Sequence, residues 1–231
     1  TGDVTRAPVA VGTRGDTVVT AGPDGSVTWW QPDGSGDLVA TGESVETGEV
    51  GEIAGLAIGP DGRRALLVGS DASALVDSRG PTSLVDDATG ELTVDPTGRF
   101  GAIGGTELTI WDLARGERVI DATDEVISMA WSACDGTAPC RLVTTGRSLD
   151  VWEPEIGRRV TLSEQTNAQA VDITDDGDTV ASAGWGSSIA LWTLGIPIGD
   201  AAPDVLARPG APTPYHEASA TTVRLVDGTV V

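Results

Sequence analysis

One pattern recurs along this chain and constrains its fold more than any other feature. Each copy has a strand, a Gly-containing turn, a second strand, a small-residue turn, and a third strand ending in Trp or a substitute plus a polar residue. The copies are APVAVGTRGDTVVTAGPDGSVTWWQ, IAGLAIGPDGRRALLVGSDASALVD, LTVDPTGRFGAIGGTELTIWD, VISMAWSACDGTAPCRLVTTGRSLDVWE and AQAVDITDDGDTVASAGWGSSIALWT. Their closing aromatic position falls at Trp30, Val76, Trp111, Trp152 and Trp192. The period is about forty residues, the size of one four-stranded unit of a repeat array. A weaker sixth copy, TTVRLVD, puts Val226 at that position. Thirty-one glycines and thirteen prolines punctuate runs of Val, Thr and Ile, the mix of many short strands joined by tight turns.

A lone four-stranded sheet cannot bury both faces, so such units stack around an axis, which leaves only short strand edges. The segments resemble WD repeats. TIWD, ending at Asp112, is the literal Trp-Asp dipeptide, and PDGRRALLVGSD and DGSVTWWQ match the middle of such a repeat. The resemblance covers Ala7 to about Thr193. It implies an all-β propeller of five to seven four-stranded antiparallel blades, with six at most in this chain. The expected layout is a single domain over 1–231, with units at 7–47, 50–88, 91–124, 126–166 and 168–205 and a degenerate blade or tail at 206–231. The family's Gly-His pair is missing, so its internal network of His, Ser or Thr, Asp and Trp is incomplete. The resemblance also implies a rigid, non-catalytic platform within a larger regulatory or assembly protein, packed beside other domains of its parent chain.

Trp111, Trp152 and Trp192 recur at blade spacing and are expected in the core, as is Trp131. Trp29 and Trp30 alternate and point to opposite faces of their strand. Trp185 sits in a Gly-rich turn, where it either folds over its own blade or anchors an interface.

The charge is −21, from fourteen arginines, no lysine and 35 acids. That field disfavours nucleic acid and anionic lipid. It serves solubility or matches a basic partner. In the family topology, turns between strands one and two and between three and four lie on one face. That face receives ten arginines, Arg14, Arg63, Arg64, Arg79, Arg99, Arg115, Arg118, Arg141, Arg158 and Arg159, among many acids. The opposite face takes linkers bearing Glu43, Glu46, Glu49, Glu52, Asp86, Asp87, Glu91, Asp121, Asp124, Glu125 and Glu164, with Asp24 and Asp71 in its tight turns and Arg147 as its single counter-charge. The candidate binding residues are therefore Glu46, Glu49, Asp86, Asp87, Asp124, Glu125, Arg147 and Trp185. They point to a protein or peptide partner, a basic one matching the charge best. The alternative is a small cationic ligand or metal in a central channel, with or without chemistry.

No catalytic, metal or cofactor motif stands out. His216, the one histidine, lies in a Pro-rich stretch with no nucleophile elbow nearby. DITDDGD lacks the ligand order of a calcium loop, and a hairpin turn explains its Asp and Gly better. GAIGGTEL has no helix after it and is no phosphate loop. Cys134 and Cys140 flank a turn. They form a disulfide if the compartment is oxidising, which would mark an exported domain, or stay reduced in the cytoplasm. No apolar run reaches the ~20 residues of a membrane span. The chain starts at Thr1 with no Met or signal peptide, as expected of a piece of a longer protein.

Overall fold

The computed structural model describes residues 9–11, 17–22, 25–42, 44–48, 50–86, 90–136, 138–163, 168–184, 188–194, 219–226 and 229–230. Among them there are only strands and turns, arranged as five antiparallel sheets; four run as meanders, and in the first the fifth strand returns to pair the third. Three of the sheets have four strands and two have five, an all-β set of the kind that forms the blades of a β-propeller. No helix among the described residues is long and apolar enough to cross a membrane.

The chain divides into two compact units, Thr1–Thr123 and Asp124–Val231. The first unit holds three sheets. Sheet one contains β1 (Val9–Val11), β2 (Val18–Ala21), β3 (Ser26–Pro32), β4 (Leu38–Ala40) and β5 (Val45–Glu46), with β4 and β5 pairing successive stretches of β3. Sheet two is β6 (Ile53–Ile58), β7 (Arg64–Gly69), β8 (Ala72–Asp77) and β9 (Gly80–Asp86). Sheet three is β10 (Gly90–Val94), β11 (Phe100–Gly105), β12 (Leu108–Asp112) and β13 (Glu117–Ala122).

The second unit holds two. Sheet four is β14 (Val126–Trp131), β15 (Leu142–Gly146), β16 (Leu149–Glu153) and β17 (Arg158–Ser163). Sheet five is β18 (Ala168–Ile173), β19 (Thr179–Gly184), β20 (Ser188–Thr193), β21 (Ser219–Val226) and β22 (Thr229–Val230). Here the expectation of a sixth repeat is corrected. TTVRLVD lies in β21, which pairs with β20 from Ser188↔Arg224 to Thr193↔Ser219 and completes sheet five. A strand late in the chain can serve an earlier sheet because the pairing needs only a free edge, not a short connection.

Burial follows from strand position. The run Ala65-Leu66-Leu67-Val68 in β7 is buried throughout because both faces are covered. Ala65 and Leu67 pack with Val19, Val27, Trp29 and Val76, whereas Leu66 and Val68 pack with Ile103, Trp111 and Leu113. One strand thus serves two cores, and each fully buried leucine contributes about 2 kcal/mol. In the second unit, Val143, Leu149 and Val151 of sheet four meet Ile173, Val180 and Leu194 of sheet five.

The turn between first and second strands repeats. Gly62, Gly98 and Gly177 have φ of +70°, +73° and +74°, and each donates its N–H to the carbonyl three residues back. Only glycine takes that left-handed conformation without cost. DITDDGD is therefore a hairpin turn. Its Asp176 accepts from the Thr174 hydroxyl and the Asp178 N–H. In sheet four the same connection is longer, and a Cys134–Cys140 disulfide closes it.

Candidate functional site

Strand direction sorts the loops at the ends of each sheet. At the end where the second strand turns into the third, sheets one to three carry exposed Glu46, Glu52, Asp71, Glu91, Glu107 and Asp121. Arg118 pairs with Asp121 at 3.1 Å. The opposite ends of sheets two and three hold Arg63, Arg64, Arg79, Arg99 and Arg115 among acids such as Asp61, Asp77 and Asp112.

Among the candidate residues, Glu46 ends β5 and is exposed. Asp86 ends β9. Glu125 is exposed just before β14, and Arg147 is exposed in the turn between β15 and β16. Asp124 is half-buried and already paired, with the Arg159 guanidinium 2.7 Å away. Glu49, Asp87 and Trp185 lie outside the described residues, as does His216.

Arg159 corrects the sequence assignment. Its place in EIGRR puts it with the mixed-charge loops, but its side chain reaches the acidic end. Its Nε donates to Asp150 Oδ1 at 3.0 Å and its Nη2 to Asp150 Oδ2 at 3.0 Å. Asp150 also accepts from the hydroxyls of Ser148 and Thr161. The guanidinium lies over the Trp152 ring, 4.8 Å from its centroid. Burial by itself would lower the Arg159 pKa, but hydrogen bonding and charge from Asp150, then from Asp124, outweigh it and hold the group above its ordinary value. Asp124 is therefore held by its own sheet, and Arg147 is not the only base at that end.

Arg141 is the second such case. The sequence assigns it to the loops of the mixed-charge face, but its side chain is only 2% exposed. Its Nε donates to Glu153 Oε1 at 3.0 Å, and Arg158 meets the other Glu153 oxygen at 2.6 Å. Arg141 Nη1 also donates to the Gly177 carbonyl at 2.7 Å, so the side chain ties sheet four to the first turn of sheet five. Arg64 does the same in the first unit, reaching from sheet two to the carbonyls of Leu113 and Ala114 beyond β12. These arginines hold neighbouring sheets together. A signal for them was present in the sequence. Arg64, Arg99 and Arg141 open or directly precede the second strand of their repeats, and an acid, Asp77, Asp112 or Glu153, follows the aromatic position.

Three tryptophans of the repeats share one type of hydrogen bond. Trp30, Trp152 and Trp192 donate their indole N–H to the hydroxyls of Thr20, Thr144 and Ser182 at 2.8, 3.0 and 3.1 Å. Ile103, opposite Thr109, holds the position equivalent to Thr144 in sheet three, and the buried Nε1 of Trp111 has no hydrogen-bond partner.

No protein-family model matches this chain. No curated protein sequence matches it either. Among solved structures, the chain is similar to one from the "Crystal Structure of Mitotic Checkpoint Complex", at 18% identity and a TM-score of 0.44. That likeness covers 77% of this chain and 60% of the other, so this chain matches less than two thirds of its neighbour's length.

Proposed function

We propose that this chain is a non-catalytic interaction scaffold that takes a basic protein or peptide at the acidic ends of its blades. What supports the reading is the sorting of exposed charge in the first unit. Glu52, Asp71, Glu91 and Glu107 crowd one end of sheets two and three, while the arginines in those sheets' turns sit at the other. A one-signed rim speeds encounter with an oppositely charged partner and selects against like-charged ones. Asp124 serves its own sheet through Arg159, so the exposed carboxylates carry the docking role in this reading.

The test is capture from a cell lysate by the immobilised full chain, at low and high salt. It is run beside a variant carrying Glu46→Gln, Asp71→Asn, Glu107→Gln and Glu125→Gln. A basic protein is expected to be retained at low salt, lost at high salt, and absent with the variant. Equal capture by both chains would remove these ends as the docking site.

A further inference from the structure

Among the described residues, the outer strands of the first four sheets pair on one side only, and they differ in how the other edge is protected. An edge strand offers unpaired N–H and C=O groups, and proteins blunt it with charge or proline. β9 has Pro81, β13 has Glu117, Arg118 and Asp121, and β17 has Arg158 and Arg159. β4 is Leu38-Val39-Ala40, with neither. Leu38 is 50% and Val39 46% exposed, and consecutive strand residues point to opposite faces. Both faces of this strand are therefore open and apolar.

Its main-chain groups are arranged for pairing. Asp37 accepts from the Asp33 N–H at 2.8 Å, and the Thr41 N–H donates to the Trp29 carbonyl at 2.9 Å. Antiparallel ladders alternate, so Asp37, Val39 and Thr41 bond inward to β3. The N–H and C=O of Leu38 and Ala40 consequently face away from the sheet. The inward ladder spans Asp37 to Thr41, longer than β4 itself.

We infer that this edge takes up an extended, apolar segment of a partner protein, flanked by basic residues, as an added antiparallel strand. Charge sets the occupant. Exposed Asp33 and Asp37 precede β4, exposed Glu46 ends β5 on the same side of β3, and no arginine occurs between Arg14 and Arg63. Two copies of this edge would bring like charges together, whereas arginine or lysine flanking a short apolar strand would meet carboxylates at both ends. The inference rests on the reading of the chain as a protein-binding scaffold, but it uses main-chain pairing at β4 rather than the acidic blade ends.

The probe is a blocked peptide of alternating valine and threonine with two arginines at each end, added to the full chain. Anisotropy measures its affinity, and amide hydrogen exchange reads Leu38 and Ala40. Binding is expected to slow exchange at both amides. Ala40→Pro removes an outward donor without touching the ladder to β3, and should weaken binding at least tenfold. Methylating alternate amide nitrogens of the peptide should do the same, and this arm holds even if Ala40→Pro lowers folding. Glu125→Gln with Glu107→Gln should leave the affinity within twofold, which separates this edge from the acidic ends. Binding that ignores both the proline and the methylated amides, or the absence of added protection at Leu38 and Ala40, overturns the inference. So does concentration-dependent self-association abolished by Ala40→Pro, which would make a second copy the occupant.

Discussion

At the residue scale, the indole hydrogen bonds provide an internal experiment. Trp152 is buried and donates to Thr144, while Trp111 is also buried and donates to nothing. A net hydrogen bond contributes about 1 kcal/mol, and stranding a buried hydroxyl adds to the loss. Trp152→Phe should therefore destabilise the fold more than Trp111→Phe by roughly 1–2 kcal/mol, since the lost packing is similar in both. Urea unfolding of the two variants checks the order, and equal losses would mean that the Thr144 contact contributes nothing. The same scale fixes a pH response in the turns. The Ser35 hydroxyl and then the Ser35 N–H hold the Asp33 carboxyl below its ordinary 3.8. The Thr174 hydroxyl, then the Asp178 N–H, do so for Asp176. A lowered folded-state pKa means these bonds are intact at neutral pH and are lost only as pH falls below 3.8 towards the folded-state value. Amides of Ser35 and Asp178 should accordingly keep their native NMR shifts down to about pH 4 and move below it.

At the element scale, the strands were legible because period-two burial and glycine turns leave a local signature. Asp176-Gly177 reads as a turn in the sequence and is one in the structure, whereas the full burial of Ala65–Val68 shows only once both faces of β7 are covered. The destinations of long side chains left a weaker signature: the recurring arginine and acid of the repeats mark the positions but not what the side chains meet. Arg141 follows a Cys-bearing turn, and taken alone it reads as a loop arginine. Only the arrangement of β15, β16 and the turn after β18 places Glu153, Arg158 and Gly177 around it. TTVRLVD was misassigned for a related reason. A strand's composition shows that it pairs, but not with which edge. The buried cluster makes a sharp prediction. Removing one partner leaves the others charged in a dry site, and such losses run to about 3–5 kcal/mol. Glu153→Ala should approach that figure in urea unfolding. Arg115→Ala should stay within about 1 kcal/mol, because its side chain is 66% exposed beside Asp112.

At the scale of the whole molecule, the dominant quantity is the charge of −21. Its sorting was half legible. Loop sequence places acids such as Asp71 and Glu107 at one end of their sheets once the strands are known, but it cannot show that Asp124 is neutralised by Arg159 from a different connection. The exposed remainder repels itself. That repulsion opposes the compact state and is screened within about 10 Å at 0.1 M salt. Thermal stability should therefore rise as sodium chloride goes from about 10 to 150 mM, because screening relieves crowding among exposed carboxylates more than it weakens the few buried pairs. The variant carrying Glu46→Gln, Asp71→Asn, Glu107→Gln and Glu125→Gln should start from a higher Tm at low salt and gain less from added salt. Calorimetry across that range separates the possibilities. If the two salt dependences were parallel, these carboxylates would not be crowded in the folded state, and the acidic ends would lose the field on which the proposed docking depends.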